Sequence, residues 1–190
     1  TLVALASGQS TDCWRGGART SLNFSSASVS HSNLGGQGPD EGAAKLRYSN
    51  VGTTPDGQTL DLEVVALSSY SAHNSTRNGL NGAFASINLA ASTSSQTSVK
   101  LEYTFLYTTT DQPYAVEDFQ FSFFDFDHGQ DGNTVECLTI AGFEEYRLTA
   151  PTEIDIDAAQ GVDLGAAARR RAPRTNARFL LNAFIDGGSK

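Results

Sequence analysis

The 190 residues include no methionine, one tryptophan and two cysteines, Cys13 and Cys137. With no initiator present, Thr1 reads as a processed or trimmed end, preceded by a secretory signal, an organellar transit sequence or simply more chain. Two cysteines this far apart are too few for a structural zinc site unless histidines join them. His31, His73 and His128 each stand alone in polar sequence, without metal-ligand spacing. An even cysteine count in a processed chain favours a Cys13–Cys137 disulfide over two separate thiols. That bridge would close a loop of about 120 residues and contribute on the order of 4–5 kcal/mol on the chain-entropy model. No run approaches eighteen apolar residues, so no transmembrane helix is expected. Thirteen Lys and Arg against 21 Asp and Glu give a formal net charge of -8, which disfavours nucleic acid or an anionic membrane as partner and permits cations. Five of the thirteen cations, Arg169, Arg170, Arg171, Arg174 and Arg178, sit close together, leaving the rest of the chain more acidic than the total implies.

Period-two alternation is the dominant pattern. Leu60, Leu62 and Val64 alternate with Asp61 and Glu63. Val99, Leu101, Tyr103, Phe105 and Tyr107 alternate with Lys100, Glu102 and Thr104. Phe119, Phe121 and Phe123 alternate with Asp118, Gln120 and Ser122. Weaker strand candidates are 20–24, 45–49, 84–89, 136–141, 145–149 and 153–157, about nine strands in total. Turn chemistry separates them at Gly35–Asp40, Pro55-Asp56-Gly57, Asn78–Gly82 and Asp131-Gly132-Asn133. The pattern predicts an all-β chain: one antiparallel, jelly-roll-like β-sandwich domain over 1–190 with little helix. An Arg-rich connection or tail is expected at about 164–178, with a single helix candidate from Leu164 to Ala172. Phe179 to Ile185 is expected to return as a strand or to cover the sandwich.

The densest polar feature follows the phenylalanine strand, where Asp125, Asp127, Asp131, Asn133 and Glu136 fall within twelve positions. On a strand Asp125 and Asp127 share a face, and a turn brings the other three back towards them. Such hard oxygens suit calcium, which takes six to eight. The stretch is not an EF-hand, because Gly129 occupies the fifth loop position, Gln130 replaces the required glycine and the flanks read as strands. The competing reading is a polar hairpin whose acids cap turns and oppose slippage. Glu153, Asp155 and Asp157 read as a solvated strand face, and Asp40 and Glu41 as lesser candidates.

No Gly-x-Ser-x-Gly elbow, phosphate loop or dinucleotide fingerprint occurs, so catalysis is not expected, with a hydrolase the remaining enzyme reading. Trp14, Tyr70, Tyr107 and Tyr114 would serve as sugar platforms if exposed, although Trp14, beside Cys13, also suits packing over a disulfide. Asn23-Phe-Ser25 and Asn74-Ser-Thr76 match the glycosylation sequon.

The segments Asn33-Leu-Gly-Gly-Gln-Gly-Pro-Asp40, Leu46-Arg-Tyr-Ser-Asn-Val-Gly52 and Phe121-Ser-Phe-Phe-Asp-Phe-Asp127 resemble modules of large secreted or surface proteins from microbes and algae. The resemblance spans about 20–157, and the Arg-rich part departs from it. It implies a calcium-dependent jelly-roll or lectin-like domain acting in adhesion or carbohydrate binding. The expectation is therefore a non-catalytic module with a glycan or another protein subunit as partner, extracellular or at the cell surface, with an organelle lumen as the alternative compartment. A structural subunit of a larger assembly is the competing role.

Overall fold

Alternating apolar residues can bury one face of a strand only if a second layer covers it, and the chain supplies two sheets. The computed structural model describes residues 2–7, 20–90, 97–116, 119–124, 135–140 and 178–186. Its strands are β1 (Leu2–Ser7), β2 (Ser21–Leu22), β3 (Ser28–Ser32), β4 (Lys45–Thr53), β5 (Thr59–Ala66), β6 (Gly79–Asn81), β7 (Phe84–Ile87), β8 (Thr97–Tyr107), β9 (Gln120–Phe124), β10 (Val135–Ile140) and β11 (Arg178–Asp186). A four-stranded sheet runs β6-β7-β1-β9, and a seven-stranded sheet runs β10-β11-β8-β5-β4-β2 with β3 also paired to β4. Every strand pair is antiparallel. The protein is all-β. Among the described residues the helical elements are three short 3-10 turns, Phe24–Ser26, Leu34–Gly36 and Ser75–Arg77. None of the described helices is long and apolar enough to cross a membrane.

The three strong alternations all give strands; the first two turn their apolar sets to the core, and of the third Phe121 and Phe123 pack against it while Phe119, just before β9, is exposed. Leu60, Leu62 and Val64 from β5, and Val99, Leu101, Tyr103 and Phe105 from β8, are buried together with Leu46 and Tyr48 of β4. Across the interior, Tyr103 meets Phe121 of β9 edge to face at 5.4 Å, and Phe105 meets Phe119 at 5.7 Å. Tyr48, fully buried, donates its hydroxyl towards Gly79 O at 3.1 Å and Ser86 O at 3.3 Å, linking the large sheet to backbone of β6 and β7. A buried phenol needs such acceptors, and these lie on the other sheet.

Several boundaries differ from the sequence reading. Residues 20–24 divide into the two-residue β2 and a 3-10 turn, because Asn23 caps that turn by accepting the Ser25 amide at 2.9 Å. The expected turn at Asn78–Gly82 contains β6, which hydrogen-bonds to β7 with Gly79 opposite Ser86. Strands β1 and β3 were not among the sequence candidates. The C-terminal apolar stretch does form a strand, β11, inserted between β8 and β10. The candidates at 145–149 and 153–157, including Glu153, Asp155 and Asp157, and the helix candidate Leu164–Ala172 lie outside the described residues.

One glycine is required by close approach. In the β2–β4 pair Gly52 lies opposite Leu22, and a β-carbon there would fall 2.5 Å from Ser21 O and 2.8 Å from Leu22 Cδ2. The backbone oxygen cannot yield without opening the pair. Gly52→Ala is therefore expected to cost about 1–3 kcal/mol, typical of overpacking, read as a lower midpoint in denaturant unfolding. An unchanged midpoint would mean that β2 adds nothing to stability.

Candidate functional site

Four of the five candidate calcium residues fall in sequence between β9 and β10, and the fifth, Glu136, belongs to β10. Among the described strands β9 comes last in the four-stranded sheet and β10 last in the seven-stranded one, and residues 125–134 join them in sequence. Asp125, Asp127, Asp131 and Asn133 lie outside the described residues, and Glu136 is placed in β10 opposite Ile185. The lead-in is described: Phe121 and Phe123 are partly buried against the core, with ring centroids 5.1 Å apart and planes tilted by 42°. Among the described residues no three His, Cys, Asp or Glu side chains gather as a metal-binding group.

The strongest described electrostatic feature is a cluster that sequence reading did not anticipate. Asp61 points away from the core side of β5, yet is only 1% exposed. It sits opposite an irregularity in β4, where the register shifts between Tyr48 and Gly52 and Asn50 takes a left-handed φ of 60°. Such a bulge frees backbone donors that the ladder no longer satisfies. The Asn50 amide donates to Asp61 Oδ1 at 3.1 Å, and the Thr108 hydroxyl reaches the same oxygen at 2.6 Å. Oδ2 accepts from Arg47 Nε and Nη2, each at 2.8 Å, and lies 3.3 Å from Ser49 Oγ. Arg47 Nη2 also pairs with the exposed Asp111, itself at φ 56° in the turn after β8. Burial alone would raise the Asp61 carboxyl, but hydrogen bonds from Thr108, Asn50 and Arg47, with the arginine charge, hold it below the ordinary carboxylate value. With its lone pairs occupied, Asp61 is an anchor for the bulge and is not poised as a base or metal ligand.

The glycine-rich segment after β3 is similarly committed. Asn33 accepts the Gly38 amide at 2.8 Å and donates to Gly42 O and Ala43 O at 3.0 and 3.3 Å. Asp40 accepts the Ser32 amide at 2.6 Å, so this candidate acid closes the loop on β3, and Glu41 is exposed beside it. His31 Nε2 lies 2.8 Å from Ala43 O, an atom that can only accept, so this nitrogen carries the proton. Gly35, at φ 60°, backs onto Tyr70, whose ring would collide with a β-carbon at 2.8 Å.

Comparisons with protein-family models, curated proteins and solved structures find no match to this chain.

Of the aromatic candidates, Tyr70 is not a platform. It is 8% exposed, its hydroxyl bonds Asn88 O and lies 3.0 Å from Asn78 Oδ1, and burial pushes its pKa up to about 12. The segment around it is polar in sequence, and only the fold reveals that Gly35 covers its ring. Tyr107 and Tyr114 are half-buried and meet edge to face at 5.1 Å, with Tyr114 OH 2.7 Å from Thr20 Oγ1. Trp14 and Cys13 lie outside the described residues, while Cys137 is half-buried on β10. Both sequon asparagines, Asn23 and Asn74, are exposed.

Proposed function

We propose that this chain is a non-catalytic extracellular or lumenal binding module whose 125–136 connection binds calcium and, so shaped, engages a glycan. The observation that carries the reading is the inward packing of Phe121 and Phe123 on β9. If the alternation of the sequence continues past Phe124, Asp125 falls at the same parity as Phe121 and Phe123, where an uncompensated carboxylate would be costly to bury. A calcium ion offsets that cost and uses what the neighbouring sequence supplies, namely oxygen donors from Asp125, Asp127, Asp131, Asn133 and Glu136. The ion would tie β9 and β10 together through the residues that join them, and the half-buried pair Tyr107 and Tyr114 offers aromatic surface for a sugar.

A second reading, a structural subunit of a larger assembly, draws support from β10. Among the described strands it pairs on one side only, with β11, and such an edge can accept a strand from another chain.

The calcium reading is tested by melting the protein in chelator and in millimolar calcium. A ligand that binds only the folded state stabilises by about 2.7 kcal/mol at a hundredfold excess over its dissociation constant. The melting temperature is expected to rise with calcium in the wild type and to rise much less in Asp127→Ala. An indifferent wild type would remove the site, and equal responses in the two proteins would move it away from Asp127.

A further inference from the structure

We propose that Asn74 is an acceptor for N-linked glycosylation, the reading resting on the extracellular or lumenal placement above. The two sequons fold alike, each asparagine capping a 3-10 turn from an extended conformation, with φ and ψ of -154° and 112° at Asn23 and -147° and 103° at Asn74. They differ in what surrounds them. Around Asn23 the flanking Leu22 and Phe24 are both buried, and Phe24 packs edge to face on Tyr48 at 5.7 Å. Drawing that segment into an enzyme's cleft after folding would strip two core side chains. Around Asn74, His73, Thr76 and Arg77 are exposed and Ser75 is half-buried, so the turn can be lifted without opening the core.

The chemistry of the side chain fits the same conclusion. Asn74 Oδ1 accepts from the Thr76 hydroxyl at 2.7 Å and the Thr76 amide at 3.1 Å, which leaves Nδ2 as the outward group, with no hydrogen-bond partner among the described residues. In the transfer, Nδ2 forms a bond to C1 of a lipid-pyrophosphate-linked oligosaccharide, and the C1–O bond to pyrophosphate breaks. The lipid pyrophosphate leaves with the electron pair, and a base of the transferase takes the amide proton. Lifting the turn opens the bond from the Asn74 amide to Asn88 Oδ1, 2.7 Å, and displaces neither flanking residue of the sequon from the core.

The test is to produce the full chain behind a secretion signal in a eukaryotic host and to map the asparagines by peptide mass spectrometry before and after peptide-N-glycosidase treatment. Asn74 is expected to be occupied in most molecules and converted to aspartate by the enzyme, with Asn74→Gln removing that mass shift while secretion continues. Asn23 is expected to show lower occupancy, because it is accessible only before Phe24 packs. An unmodified Asn74 in secreted, folded protein overturns the site. Because the signal is supplied, that result is distinct from failure of the compartment reading, which would appear as occupied Asn74 in this host but no glycan on protein from its natural source.

Discussion

Asp61→Ala is expected to lower unfolding stability by about 3–5 kcal/mol, the range for removing one partner of a buried ion pair. The loss is large because a single carboxylate serves Arg47, the Asn50 amide of the β4 bulge and the Thr108 hydroxyl. Without it the Arg47 guanidinium, 14% exposed, keeps only the exposed Asp111 as a counter-charge. Asp61→Asn retains the size and one acceptor and is expected to lose less. A deficit within about 1 kcal/mol, the range for surface pairs, would contradict the anchoring role. The same carboxylate makes stability pH-dependent. Its folded-state pKa is held below the ordinary value of 3.8, so its contribution is fully present above that value and is lost as the pH falls through the lower folded-state value. Denaturant titrations between neutral and strongly acidic pH should show this acid-side loss in the wild type and a smaller one in Asp61→Ala.

Phe105→Ala is expected to cost about 3–5 kcal/mol, the usual range for emptying an aromatic core site. Phe105 is 1% exposed near the C-terminal end of β8, with Leu62 of β5 beside it in register. Its ring also meets Phe119, the residue just before β9, at 5.7 Å. The truncation therefore weakens both the core and the footing of β9. Phe105→Leu refills most of the volume and should restore much of the stability. Equal midpoints for wild type and alanine variant would mean that the β8 face is not the core.

How far the sequence disclosed this arrangement depends on whether an element's partner is local. The stretches 60–64, 99–107 and 119–123 were legible because apolar and polar residues alternate in each, although the fold also buries Asp61 and Thr104 on the polar faces and leaves Phe119 exposed. Strand β3, Ser-Val-Ser-His-Ser, carries little apolar signal and exists because β4 supplies its hydrogen-bond ladder. Strand β6 holds the Asn and Gly that ordinarily mark a turn, and pairing with β7 overrides that preference. The Asp61 cluster was illegible for a related reason. Arg47 and Asp111 meet across 64 positions, and nothing local marks the bulge that buries the acid between them. The acidic run at 125–136 was legible as composition, and the inward phenylalanines before it support the parity argument on which its reading depends.

The central claim is that this run binds a metal ion, and equilibrium dialysis of the folded full chain against calcium tests it most directly. The account predicts one ion retained per chain, with retention lost in Asp127→Ala while the β-sheet circular dichroism is kept. Folded wild-type protein that retains no calcium at millimolar concentration would contradict it.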